Sequence, residues 1–277
     1  MSKAFTIMTF NLRVAVPTDP YRWDERKHWA AQIIEEAQPD LIGTQEATVP
    51  MLHWLKDHFH ETYEVYGVNR TRSEEAGEFS AIFVKRDRFS IRRNGSFMLS
   101  ETPDVIGSLG WDAACERICS WVELAFNGET SSALRFYNTH LDHIGETART
   151  EGLRLILQTI REQNLEKPLP VMLTGDFNDT PESGLLAVID EFEPMTSCFD
   201  LMSEAEKQHS RTFHGYRGGT EGSPIDYILS SQGIEFASCA IVRDKVEQGY
   251  PSDHYPIVAH MEMKENEPAY SDADQAR

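Results

Sequence analysis

The sequence predicts an α/β protein in which β-sheets pack together and helices lie outside them. Three observations predict it. Short β-rich runs recur along the 277 residues and outnumber the amphipathic stretches of helical period. The two kinds are interspersed rather than segregated. A strand–loop–helix–strand unit also occurs twice at nearly the same spacing.

The β-rich runs, in order, are residues 5–10, 40–44, 80–84, 118–126, 134–138, 171–174, 225–229 and 256–261. Residues 23–37 form the first amphipathic stretch. Trp29, Ile33, Ile34 and Ala37 share one helical face there, and Pro39 closes it. Residues 50–59 form a second. Residues 147–163 form a third, with Leu153, Ile156, Leu157 and Ile160 on one side. The stretch 85–93, which holds K-R-D-R and R-R, reads as a solvated turn between two strands.

The repeated unit runs from Asn11, after a strand, to the strand D-L-I-G-T ending in Gln45-Glu46. Its second copy runs from His140 to V-M-L-T, ending in Gly175-Asp176. The separations, Asn11 to Glu46 and His140 to Asp176, are 35 and 36 residues. Two such units suggest a pseudo-symmetric fold with one shared edge, where polar pairs gather at strand ends.

Polar residues indeed punctuate six strand ends: Asn11, Glu46, His140 with Asp142 and His143, Asp176 with Asn178, Asp226, and Asp253 with His254. Each has a bland alternative, since Gly, Asp and Asn are turn formers and a strand must end somewhere. Asp226 resists that reading. Its neighbours Ile225, Tyr227 and Ile228 suggest a mostly buried strand, and a buried carboxylate needs a partner. His254 is the candidate.

Composition, 40% hydrophobic and 26% charged, is that of a globular protein. No linker or composition break divides the chain, so one domain is expected over residues 1–263. A flexible acidic tail is expected over 264–277. No segment approaches a membrane span or a leader peptide, which predicts a cytoplasmic protein without a membrane partner. Cys115, Cys119, Cys198 and Cys239 fit no zinc template and read as reduced packing residues. The net charge is −19, unevenly spread: residues 1–120 hold 14 Lys and Arg against 18 Asp and Glu, and residues 121–277 hold 12 against 27. Binding a polyanion by phosphate neutralisation wants the opposite sign. Divalent cations in a site would invert the field locally.

The motifs F-N, Q-E, T-H-L, G-D-F-N, I-D-Y and S-D-H, in that order from Phe10 to about Pro256, resemble the endonuclease/exonuclease/phosphatase superfamily. The resemblance implies a four-layer α/β/β/α sandwich of two mostly antiparallel sheets flanked by helices. It also implies a phosphoester hydrolase dependent on Mg²⁺ or Mn²⁺. In that light Glu46 resembles the principal metal ligand and Asp253 a second acid near the ion. Asp176 resembles the base or water-orienting acid. Asn178, two residues on, shares its face if the segment stays extended. Asn11 would orient neighbouring acids or the phosphate. His254 would stabilise phosphoryl charge as the imidazolium, with Asp226 fixing its ring. His140 resembles a second active-site histidine, for which Glu78 is the candidate carboxylate partner; a solvated loop acid is the alternative. Arg117 stands where relatives place a phosphate-binding arginine, a task suited to a planar fork. Arg13, Asp142, His143 and His214 are candidates to face the substrate's alcohol portion, with packing the equal alternative. Trp111 and Asp112 read as a solvent-exposed loop.

The rim, not the catalytic core, chooses the substrate. The acidic balance favours a small phosphorylated molecule, such as a sugar phosphate, over nucleic acid. The alternatives are a nuclease and a phosphoester-binding module without catalysis.

Overall fold

The computed structural model describes residues 3–73, 75–247 and 249–264. In chain order the elements are β1 (Lys3–Asn11), α1 (Trp23–Ala37), β2 (Leu41–Thr48), α2 (Val49–His58), β3 (Tyr63–Tyr66), β4 (Glu78–Lys85), β5 (Phe89–Met98), β6 (Ile118–Phe126) and β7 (Leu134–His140). They continue with α3 (Glu146–Glu166), β8 (Val171–Asp176), β9 (Met195–Ser197), β10 (Asp226–Ser231), β11 (Ile234–Ile241) and β12 (Ile257–Met263). Two six-stranded mixed sheets result, in the orders β11-β12-β1-β2-β4-β3 and β5-β6-β7-β8-β10-β9. Helices flank each, giving the α/β/β/α sandwich.

Period-2 burial builds the layers. In β1, Phe5 and Ile7 turn to the second sheet, while Met8 and Phe10 join Ile33 and Ile34 of α1 and Leu52 and Leu55 of α2. On the other side, Leu153, Ile156, Leu157 and Ile160 of α3 pack on the second sheet. Helix α1 stops where Gln38 turns left-handed at φ 45°, just before Pro39. Among the described residues no helix is long and apolar enough to cross a membrane. Residues 265–277 of the expected tail lie outside the described residues.

The repeated unit is visible as a repeat of topology. β1 pairs with β2 in parallel, bringing Asn11 opposite Gln45; β7 pairs with β8 in parallel, bringing His140 opposite Asp176. The antiparallel neighbours β12 and β6 flank β1 and β7 in the same way. The two parallel pairs therefore end at one edge of the sandwich.

Four strands escape the sequence reading: β3, β5, β9 and β11. Burial in β5 follows no clean alternation, and β9 has only three residues, so neither carries a periodic signal. The expected turn over 85–93 is confined to residues 86–88, because Phe89 already opens β5. Asp226 heads β10 rather than sitting within a strand.

Polar groups stitch the sheets together. Asn138 Nδ2 donates to the carbonyls of Thr44 and Ala81 at 2.9 and 3.0 Å, and its Oδ1 accepts from Gln45 Nε2 at 2.7 Å and Thr174 Oγ1 at 3.0 Å. Only glycine fits opposite this network. A Cβ on Gly43 would stand 2.5 Å from Asn138 Oδ1 and closer still to Thr174 Oγ1. Gly43→Ala is expected to cost about 3 kcal/mol or more by overpacking and network loss. A fall in melting temperature of roughly 6–12 °C would register it; an unchanged melting temperature would show that the network yields.

Candidate active site

The site grows from the shared edge. Asn11 ends β1, and its Nδ2 donates to Glu46 Oε1 at 3.0 Å and to Asp176 Oδ2 at 2.8 Å. One amide thus joins a carboxylate of each sheet. Glu46 reaches it through a bulge: the register of β2 on β4 shifts between Thr44 and Ala47, and Glu46 takes a left-handed φ of 63°. A bulge re-aims a side chain that regular alternation would place elsewhere. The other oxygen of Glu46 accepts from the Val14 amide at 2.8 Å.

Asp176 is fully enclosed. Its Oδ1 accepts from the Asn178 amide at 2.9 Å. Asn178 does not continue the extended strand. It is left-handed at φ 52°, and the turn, not alternation, brings it to the site. Its Nδ2 donates to Leu141 O at 3.0 Å and to His140 Nε2 at 2.9 Å. The second carboxylate of this strand tip, Asp179, faces away and pairs with Arg149 of α3 at 2.9 Å.

His254 precedes β12, and its Nδ1 donates to Asp226 Oδ2 at 2.8 Å. Its Nε2 lies 3.7 Å from Asp176 Oδ2. The turn is braced from both sides. Ser252 Oγ donates to Asn11 O at 2.6 Å and accepts from the His254 amide at 3.2 Å. Phe213 bridges to His254 along the backbone and lies against its ring, with centroids 5.0 Å apart.

Electrostatics separates these groups. Burial would lower His254, but the carboxylates of Asp226 and Asp176 outweigh it and hold the ring up at about 10, so it is an imidazolium at neutral pH. His140 falls well below the ordinary value through burial and through Arg117 and Arg70, and is neutral. Burial and the charge of Asp226 push Asp176 up to about 7. Burial also raises Asp253. Burial opposes ionisation of Glu46, yet the Val14 amide, His254 and Asn11 hold it below the ordinary value.

Glu46, His140 and Asp176 each offer a ligand atom within 4.8 Å of the others, as do Asp176, Asp226 and His254. The protonated, Asp226-bound ring of His254 cannot ligate, so the set that fits a divalent cation is the first, the carboxylates of Glu46 and Asp176 with the neutral ring of His140. Oxygen ligands suit Mg²⁺ and Mn²⁺, and a cation would favour the ionised forms of Asp176 and Asp253, which burial disfavours. A third group, Cys115, Asp142 and His143, already has Arg117 among its donors at 3.4 Å from Asp142 and 3.0 Å from His143.

Of the predicted residues, Glu46, His140, Asp176, Asn178, Asp253 and His254 line one cleft of about 340 Å³, together with Arg13, Arg117, Glu78 and His143. Asn11 and Asp226 are buried beneath it. Glu78 departs from both of its readings, and Asp142 and His214 take the packing alternative over the substrate-facing one. Glu78 is neither a partner of His140 nor a solvated acid. Its carboxylate grips Arg70 at 2.8 and 2.9 Å, and His140 Nδ1 is buried without a partner among the described residues. Asp142 does not face substrate. It is 1% exposed, accepts three backbone amides from Ala114, Ile144 and Gly145, and turns its other oxygen to Arg117. Its role is to hold Arg117. His214 packs, stacked on Tyr255 at 3.9 Å between centroids and tilted against Tyr250. Asp112 lies in an exposed turn, as expected, and its carboxylate also accepts from the Ala148 amide at 2.7 Å, capping α3 across the chain. All four cysteines are free. Cys119 and Cys198 are buried as expected, whereas Cys115 reaches the cleft wall.

Sequence reasoning missed Arg70, Arg26 and Phe213. Arg26 is wholly buried in α1 and donates to Leu12 O, Arg13 O and Pro251 O at 2.7, 3.0 and 3.0 Å, tying the loop after Asn11 to the loop before Asp253. An arginine amid the apolar face of a helix was the available signal. Arg13 pairs with Asp19 at 2.9 Å and approaches Asp253 at 3.5 Å.

Residues 8–254 match the sequence model of the Endonuclease/Exonuclease/phosphatase family. A mannosyl-6-phosphatase from Bacteroides thetaiotaomicron is 32% identical; the match covers 93% of this chain and 99% of that one, with a TM-score of 0.80. An endonuclease/exonuclease/phosphatase family protein from the same organism is 30% identical over 95% of this chain and 99% of its own, with a TM-score of 0.85. The human Nocturnin catalytic domain, 18% identical over 94% of this chain and 95% of its own at a TM-score of 0.71, shares the fold.

Proposed function

The chain belongs to the endonuclease/exonuclease/phosphatase family, and from that premise we propose a Mg²⁺- or Mn²⁺-dependent phosphatase or phosphodiesterase acting on a small soluble phosphorylated molecule, such as a sugar phosphate. The observation that carries the reaction class is the continuous array Glu46–Asn11–Asp176 with His254–Asp226 beside it. The substrate class is supported by the mannosyl-6-phosphatase at 32% identity and by the net charge of −19, which disfavours an extended polyanion.

In this reading Glu46 is the principal ligand of the ion, and Asp253, on the same cleft, is a second acid near the ion. Bound there, it would polarise the phosphoryl oxygens and stabilise the leaving alkoxide. Asp176 accepts a proton from the attacking water, a task suited to a carboxyl raised to about 7. Asn11 and the Asn178 amide keep its lone pairs aimed. The His254 imidazolium lies beside the phosphoryl group and takes up its growing negative charge, while Asp226 prevents the ring from turning. Arg117, held by Asp142, presents its fork to phosphoryl oxygens. His140, neutral and bonded to Asn178, positions that turn. The proposal treats residues 1–263 as one catalytic domain in a cytoplasmic setting, with no membrane partner.

The test is phosphate release from hexose phosphates and nucleotides, beside plasmid nicking and RNA shortening, with Mg²⁺ or Mn²⁺ and with chelator. Metal-dependent release from sugar phosphates is expected. Turnover confined to nucleic acid would replace this reading with a nuclease, and no turnover of any kind would leave a binding module.

A further inference from the structure

The cleft has two halves, fixed by strand order. Towards β12 and β10 stand His254 and Asp226; towards β4 and β6 stand Glu78 and Arg117, with β1 and β2 between in one sheet and β7 and β8 in the other. At a strand spacing of about 4.8 Å, these walls are roughly 14 Å apart. The chemistry described above occupies the first half and the middle and takes from the second half Arg117 alone. The second half contains an ion pair with no assigned task.

That pair is Arg70 with Glu78. The two nitrogens of the fork meet the two carboxylate oxygens at 2.8 and 2.9 Å, and the side chains are only 15% and 17% exposed. Backbone holds it in register: the Arg70 amide donates to Glu78 O at 3.0 Å, and Asn69 bridges to Phe79. Its loop is pinned in turn, since Asn69 Nδ2 donates to Ser73 O and Ala76 O at 2.8 and 2.7 Å. Both residues line the cleft beside Glu46, Arg117 and His140. Each Nη of Arg70 meets one oxygen of Glu78 and carries a second N–H, so the pair retains unused donor capacity.

A carboxylate at this wall repels a phosphoryl group, and a guanidinium already neutralised by it adds little to anion binding. Together they form a rigid, neutral set of acceptors and donors, the complement of hydroxyl groups. We propose that the Arg70–Glu78 pair is the subsite for the polyol part of the substrate, Glu78 accepting from its hydroxyls and Arg70 donating to them. The inference rests on the phosphatase reading above and names what lies beyond the phosphate.

The test compares hexose 6-phosphate with p-nitrophenyl phosphate, which has a phosphate and no hydroxyl, in wild type, Glu78→Gln and Arg70→Lys. The ratio of kcat/KM between the two substrates should fall about tenfold in both variants, chiefly through KM for the sugar. Mono-deoxy hexose 6-phosphates test wild type alone, whatever the variants' folding. Loss of at least one hydroxyl should cost about tenfold in wild type, and that cost should shrink in Glu78→Gln. Equal losses on both substrates would mean that the pair serves the phosphate or the fold, and would overturn the inference while leaving the phosphatase reading intact. Indifference to every deoxy position would overturn it likewise. A wild type that releases no phosphate from any sugar would overturn both.

Discussion

His254→Ala is expected to lower metal-supported phosphate release about 10³-fold, and Asp176→Asn by a similar factor. His254 is an imidazolium because two buried carboxylates surround it, and it is the cation aimed most directly at Asp176, 3.7 Å away. Removing the ring withdraws charge stabilisation from the reacting group. It also leaves Asp226 and Asp176 buried without their partner, which costs stability, so His254→Gln serves as the companion variant that keeps volume and one donor. Asp176→Asn keeps shape and removes the base. The measurement is kcat at saturating substrate, with the melting temperature recorded beside it. Near-wild-type rates in these variants would remove the assignment of both residues.

The second large effect concerns the ion. Glu46→Gln should abolish metal-dependent stabilisation as well as turnover. A ligand at about 100 times its dissociation constant stabilises by roughly 2.7 kcal/mol, which for a domain of this size is a shift of roughly 5–10 °C. Wild type should show that shift on adding Mg²⁺ or Mn²⁺, and Glu46→Gln should show almost none. The pH dependence sharpens it. His254 and Asp176 both carry folded values above their unfolded ones. Each therefore contributes stability that is present at low pH and is lost as pH rises, through about 7 for Asp176 and about 10 for His254. In chelator, the melting temperature should decline from about pH 4 towards pH 10, and the cation should offset the decline. A full metal shift in Glu46→Gln would place the ion elsewhere.

These expectations depend on features of unequal legibility. The candidate catalytic residues were visible because each follows or heads a short apolar run, and a polar residue at that position stands out locally. The repeat spacing of 35 and 36 residues announced the shared edge, and the structure showed that each unit closes as a parallel pair. The edge strands were not visible. β3, β9 and β11 are short or mixed in burial, and β5 loses its alternation, so their state is decided by neighbours rather than by period.

By itself, then, the chain's order of residues determined the family, the layered fold and the acids, amide and histidines at the strand ends, because period-2 burial and turn chemistry are local. Tertiary structure decided which carboxylate meets which cation. Asp142 reaches Arg117 across 25 residues, Glu78 takes Arg70 and leaves His140 Nδ1 without a partner among the described residues, and His214 withdraws among tyrosines. It decided also that Glu46 enters through a bulge and Asn178 through a left-handed turn. Such choices depend on through-space distance and burial, which no spacing along a chain encodes.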